Sequence, residues 1–475
     1  MVFSSLIFTF AFLPAVLVLY YLCPRGGRNY ILFAASMFFY AWGEPKNILL
    51  MLVSLALNYL LGILVEHFSG KSKLQKIILV TAILCNLSFL LYYKYFDFAV
   101  INSNRFLGTA LEIRNIALPL GISFYTFQAI SYLVDIYRKD IAAQKNPVFL
   151  GINIAFFPHL IAGPIVRYKT IEHQLTERKE SFSDFSEGVF RFLVGFNKKV
   201  LIANNLAVVA DEAFRQGFAQ KSSVVMLWLG ALCYSLQIYF DFSGYSDMAI
   251  GLGKIFGFHF LENFNYPYAA TSVKDFWRRW HISMSTWFRD YVYIPLGGSR
   301  VKKGRLIFNL FAVWALTGLW HGASWNFVAW GLIYFLLLCF EKLTGILDKL
   351  HSPISKGIYR AFTMFCVMLN WVLFRANGLT TGLRYIKAML GFSHYPFLSD
   401  STVFYFREYG IYLLFGVLFC VPIGNYLKNH LKFLKNPAAD RPIGFGVSFA
   451  QLALFLISIS FIAVSSHNPF IYFNF

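Results

Sequence analysis

Long apolar runs recur along this chain from one end to the other: Phe3–Tyr21, Ile48–Val65, Ile77–Tyr95, Val224–Phe242, Gly331–Glu341 with its upstream flank, Tyr359–Phe374, Tyr412–Tyr426 and Gly444–Val464. A hydrocarbon core about 30 Å thick takes roughly 20 apolar residues per crossing helix. No water reaches the backbone there, so a crossing segment must satisfy its own amides, as a helix does. With the shorter, Gly/Pro-broken stretches between them, the runs predict about ten to twelve spans or half-spans. The chain therefore reads as an all-α polytopic membrane protein with a single integral-membrane domain over residues 1–475. Of those 475 residues 58% are apolar and 14% charged, and the mean hydropathy of +0.57 excludes an ordinary soluble enzyme.

The first run has neither a basic flank nor a small-residue cleavage site, so it is expected to stay in the protein as a helix. Six cysteines (Cys23, Cys85, Cys233, Cys339, Cys366, Cys420) are scattered without CxxC spacing and support neither disulfides nor zinc. The net charge of +19 fits the positive-inside bias and contact with anionic lipid headgroups; nucleic acid is not an expected partner.

Basic clusters set the expected topology. Arg25 and Arg28, then Lys71, Lys73 and Lys76, then Arg138–Lys145 mark cytoplasmic loops, which puts the N-terminus outside. Pro147–Val166, broken by Gly163-Pro164 between two basic flanks, suggests a re-entrant hairpin, with a Pro-kinked span as the alternative. Ser243–Arg305 is weakly apolar and rich in Lys and Arg, as a cytoplasmic-face loop or re-entrant segment would be. By the same count residues 466–475 form an external aromatic tail.

Within Leu316–Phe327 stands His321, an ionisable group at membrane depth and so a candidate functional residue. A neutral imidazole accepts a proton from a hydroxyl near pH 7. Trp320 and Trp325 are candidates to wall a passage beside it, and Asn326 or Thr317 to orient the ring; a structural histidine bonded to a carbonyl is the alternative. His281 lies in Asp275–Ser283 beside Arg278 and Arg279, which with Lys302 suit the phosphates of an anionic donor. An interfacial helix with aromatic anchors explains the same pattern. Asp241 and Asp247, at an inner helix end, are candidates to pair with Arg278 or Arg279, and the turn Pro295-Leu296-Gly297-Gly298 is weak evidence of an anion nest. His159, His259, His281 and His321 have no HxxxH or HExxH spacing, so no metal is expected.

Several segments together resemble the membrane-bound O-acyltransferases: Val2–Ser5, Leu118–Phe124, Phe156–Pro164, Lys198-Lys199-Val200, Asp241–Asp247, Phe276–Gly298 and Trp320-His321-Gly322, in order over nearly the whole chain. The resemblance implies a ring of helices and re-entrant half-helices around a central tunnel, with His321 as the reactive histidine and His281 nearer a cytoplasmic mouth. It implies an acetyl-CoA donor, for which Arg278, Arg279, Lys302, Trp320 and Asn326 are the candidate contacts. It further implies an extracytoplasmic polysaccharide acceptor, a secreted or membrane-anchored partner transferase and a place in the bacterial cytoplasmic membrane. The tail Asn468–Phe475 resembles the tyrosine-bearing tail of a small partner peptide in the D-alanylation branch, which makes Tyr472 a candidate acetyl carrier; an interfacial aromatic belt at a chain end is the alternative. Three rival readings remain at this point. One is D-alanyl-type transfer to a cell-wall polymer. Another is a proton-coupled transporter or flippase, which inverted repeats would favour. The third is a non-catalytic scaffold for a secreted transferase, for which His321→Ala would leave acetylation intact.

Overall fold

A computed structural model describes residues 1–219, 221–423 and 437–464, together with Asn468, Pro469 and Ile471. The described residues form helices, turns and irregular links without strands. In chain order the helices are α1 (Phe8–Leu22), α2 (Arg28–Gly43), α3 (Ile48–His67), α4 (Ser72–Leu107), α5 (Ile122–Tyr137), α6 (Pro147–Ala155), α7 (Tyr168–Glu177), α8 (Phe182–Phe218) and α9 (Val224–Ile255). They continue as α10 (Val273–Arg279), α11 (Ile282–Phe288), α12 (Lys303–His321), α13 (Trp325–Thr344), α14 (Pro353–Arg375), α15 (Leu379–Met389), α16 (Asp400–Phe419) and α17 (Gly444–Val464). Eight of these, α3, α4, α8, α9, α13, α14, α16 and α17, are long and apolar enough to cross a membrane. The protein is a multi-pass, all-α membrane protein.

Two compact units divide the chain, one of residues 1–192 and 248–261, the other of 193–247 and 262–475. Helices α8 and α9 contribute to both. In each unit a pair of glycines brings these two helices into backbone contact, the use small residues have inside membranes. A Cβ on Gly251 would lie 2.5 Å from the Gly188 carbonyl in the first unit, and one on Gly244 would lie 2.8 Å from the Gly195 carbonyl in the second.

In the first unit, the stretch expected to re-enter is the nine-residue helix α6 followed by irregular backbone over Phe156–Gly163. At about 1.5 Å per residue, α6 is far too short to cross. Its carboxyl-terminal extension is buried throughout, with His159 at 0% exposure, so protein and not lipid covers its non-helical amides. Gln128 of α5 shares a hydrogen bond with His159 Nδ1 at 3.1 Å.

At one end of the same unit, Glu180 receives the Tyr20 hydroxyl at 2.5 Å and the Arg28 guanidinium at 2.8 Å. Burial alone would raise this carboxyl, but the hydrogen bonds from Tyr20 and Arg28 outweigh it and hold the group below the usual carboxylate range. A depressed folded-state value means stability that is present above about pH 4.3 and lost as pH falls further, through the folded value. Glu180→Gln should lower the thermal midpoint at pH 7 by the equivalent of about 1–2 kcal/mol, the scale of a hydrogen bond to a charged group. The variant should also flatten the acid limb of midpoint against pH, which thermal unfolding in detergent would read.

The structure revises two expectations. Ser243–Ile255 is not part of a surface loop: it continues α9, whose 32 residues span about 48 Å. Two of its buried polar residues have partners inside the protein, Ser246 with Asn263 and Asp247 with Lys198. Helix α8 did not stand out in the sequence as a span, since Lys198 and Lys199 interrupt its apolar run. They fall in a π-helical turn, Lys198–Ala203, where Lys198 pairs with Asp247 and Lys199 with Asp241, both at 2.6 Å. Neutralised in this way, two lysines become compatible with a crossing helix.

Candidate active site

The second unit holds both histidines singled out above. Helices α12 and α13 form a tight hairpin with only Gly322-Ala323-Ser324 between them. Glycines set its closeness: a Cβ on Gly331 would stand 2.4 Å from the Trp314 carbonyl, and one on Gly318 would stand 2.6 Å from that of Phe327. His321 is the last residue of α12 and is 5% exposed. Its ring meets Trp330 at 4.9 Å and Phe374 at 5.1 Å, both edge-on, and Trp320 at 4.9 Å.

His281 occupies the hinge between the two short helices α10 and α11. Its φ of +43° and ψ of 56° place a non-glycine residue in the left-handed region, a strained conformation that persists only where neighbours enforce it and that concentrates at functional sites. The enforcement is visible. The Ile282 amide donates to the Asn263 carbonyl at 2.9 Å and the Asn265 amide to the Arg279 carbonyl at 2.9 Å. The ring lies 4.7 Å from that of Phe242 and 6.2 Å from that of Trp320. Trp320 thus contacts both histidines and sits between them in the packing.

Glu341, buried in α13, accepts the Val273 and Lys274 amides at 2.7 and 2.9 Å and the Tyr359 hydroxyl at 2.9 Å. A carboxylate on the first amides of a helix both caps it and matches its dipole. Glu341 therefore anchors α10, whose far end leads into His281. The sequence reading passed over it, although a carboxylate within an apolar run is itself a signal.

Other expectations are corrected. Asn326 and Thr317 do not orient His321: Asn326 donates to the Leu373 and Ala376 carbonyls at 3.1 and 3.0 Å, and Thr317 to the Val313 carbonyl at 2.7 Å. Both side chains are taken up by backbone carbonyls. Trp320 does lie against His321, whereas Trp325 is 46% exposed. Asp241 and Asp247 take the lysines of α8 rather than Arg278 or Arg279, because α8 and α9 touch along their length. Arg279 turns to Asp275 at 3.0 Å, while Arg278 and Lys302 remain exposed. Of the three cations suggested for phosphates, two therefore face outward and one is engaged. His259 is exposed and bonded to Asp184 at 3.1 Å. Among the described residues no three His, Cys, Asp or Glu side chains gather as metal ligands.

The chain's end is held against this unit. Lys199 donates to the Pro469 carbonyl, Asp241 accepts the Ile471 amide at 2.9 Å, and Asn204 donates to Asn468 at 3.1 Å. Pro469 and Ile471 line a cavity of about 640 Å³ that Asn326, Phe374, Arg375 and Asp211 also line. Phe374 is one of the rings that touch His321. Tyr472 itself lies outside the described residues.

The membrane-bound O-acyltransferase family profile matches residues 152–383, a region that includes both histidines and Glu341. The probable alginate O-acetylase AlgI of Pseudomonas putida is 39% identical over 100% of both chains. The peptidoglycan O-acetyltransferase of Helicobacter pylori is 32% identical over 100% of this chain and 98% of its own. The teichoic acid D-alanyltransferase of Bacillus subtilis is 31% identical over 55% of this chain and 68% of its own. Full-length similarity at this level, together with the family profile, has one reading: the chain is a member of the membrane-bound O-acyltransferase family.

Proposed function

We propose that the protein carries an acetyl group from cytoplasmic acetyl-CoA through the bacterial cytoplasmic membrane for O-acetylation of an extracytoplasmic polysaccharide. In this reading His321 takes the proton of an acceptor hydroxyl. The hydroxyl oxygen bonds to the thioester carbonyl carbon, the carbon–sulfur bond breaks, and the proton passes from the imidazole to the departing CoA thiolate. The carbonyl end of α12 favours the positive charge that His321 carries in between.

The acceptor proposed is Tyr472, with a secreted or membrane-anchored partner transferase moving the acetyl group on to the sugar. One observation carries this part: the tail is held by Lys199, Asp241 and Asn204 at a cavity whose wall includes Phe374, the neighbour of His321. A phenol suits a carrier because its pKa near 10 makes it a better leaving group than an alkyl alcohol. The relatives that act on alginate and peptidoglycan and match over the full length support acetyl transfer over the D-alanyl alternative.

Purified protein in nanodiscs, given radiolabelled acetyl-CoA, should release CoA and retain label on its C-terminal peptide. Tyr472→Phe should lose that label and nearly all glycan acetylation in cells. Full glycan acetylation by the variant would remove Tyr472 from the pathway.

A further inference from the structure

Asn263 lies beyond the end of α9, is 0% exposed, and concentrates three contacts on one atom. Its Oδ1 accepts the Ser283 amide at 3.1 Å and the Ser283 hydroxyl at 2.8 Å, and meets His281 Nδ1 at 3.2 Å. Its Nδ2 donates to Ser246 of α9 at 3.2 Å. The two ends of an asparagine amide look alike, so their identity has to come from partners of known polarity. The Ser283 amide is such a partner, since a backbone N–H can only donate. The atom it reaches is therefore the oxygen. An imidazole nitrogen facing that same oxygen must in turn carry a hydrogen, because two lone pairs would otherwise oppose each other in a dry site. In a neutral imidazole, a proton on Nδ1 leaves Nε2 as an acceptor.

We infer that Asn263 is a positioning residue that fixes His281 in the Nδ1-protonated tautomer, so that Nε2 presents a lone pair and the substrate atom it meets is a hydrogen donor. A hydroxyl, an amide N–H or a thiol qualifies; the acyl carbonyl oxygen does not. His281 then works on the side of the reaction that gives up protons, and stabilisation of a developing oxyanion falls to other groups. The geometry suits a part made to hold one orientation. Asn263 binds Ser283 on α11 and Ser246 on α9, and its own carbonyl takes the Ile282 amide. It thus clamps the hinge from three directions around the residue with left-handed backbone. The inference rests on the reading of His281 as part of the acyl-transfer site, and the test separates the two.

Protein labelled with ¹⁵N-histidine, with the His281 resonances assigned by their absence in His281→Gln, should show Nδ1 as the pyrrole-type nitrogen and Nε2 as the pyridine-type one. A proton on Nε2 overturns the assignment whatever the activity. Asn263→Leu should keep the KM for acetyl-CoA and lose roughly 10²-fold in kcat, less than the about 10⁴-fold that follows loss of the orienting carboxylate in a serine-protease triad. Asn263→Asp, which keeps an oxygen at the same place and can accept from Ser246, should restore most of the rate. Wild-type kcat in Asn263→Leu, or no recovery in a folded Asn263→Asp, overturns the positioning role. Should His281→Ala itself retain full activity, the catalytic reading of His281 fails, while the tautomer stays decided by the nitrogen shifts. Should Asn263→Leu fail to fold, the wild-type spectrum alone still decides the tautomer.

Discussion

His321→Phe is expected to eliminate acetyl transfer while leaving the fold intact. The ring of His321 fills a pocket between Trp330 and Phe374, so alanine would remove both the base and its volume. Phenylalanine keeps an aromatic ring among aromatic neighbours and removes only the nitrogens. General base catalysis contributes about 10²- to 10⁴-fold, and loss on that scale should appear as a fall in CoA release by purified protein with acetyl-CoA and acceptor. The thermal midpoint should move by only a few degrees, since a near-isosteric apolar exchange costs less than about 1.5 kcal/mol. A folded His321→Phe protein that still cleaved the thioester at the wild-type rate would show that the hydroxyl loses its proton elsewhere.

The second large effect concerns stability. Lys199 and Asp241 are 3% and 1% exposed and meet at 2.6 Å. Lys199→Met would leave the Asp241 carboxylate buried without its cation, at about 3–5 kcal/mol. For a chain of this size that is about 3–5 °C in thermal midpoint. The double variant Lys199→Met/Asp241→Leu should regain much of the loss, because replacing both members of a buried pair by apolar groups is often near neutral. The tail docks on the same two side chains, so the double variant should remain defective in glycan acetylation despite its recovered stability. Equal midpoints for Lys199→Met and the wild type would mean that water or another cation reaches Asp241.

Much of this architecture could be read from the residues, because the bilayer requirement is strict. The runs at Ile48–Val65 and Gly444–Val464 reappear almost unchanged as α3 and α17. The sequence was misleading where charge and apolarity share one helix. Helix α8 carries two lysines whose neutralising aspartates lie more than forty residues later, and only the folded chain brings them together. Asp241 and Asp247 looked like a helix end for the same reason. His321 stood out in the sequence because an ionisable group in an apolar run has few explanations, and the structure buries it at a helix end. Asn263 was not, since an asparagine in Glu262-Asn263-Phe264-Asn265 has no local pattern to distinguish it. Its role depends on a hinge eighteen residues away. Asn326, by contrast, stood near His321 in sequence yet bonds to the carbonyls of Leu373 and Ala376, because the turn after α12 points it away.

The grip of Glu341 on the start of α10 has a mechanical consequence. Helix α13 begins four residues after His321 and, sixteen residues further along, carries the carboxylate from which α10 hangs; α10 in turn ends beside His281. The two imidazoles are therefore opposite ends of a single linkage. Any tilt of the α12–α13 lever that made room for a substrate would move both imidazole rings together, and their mutual spacing would survive the motion.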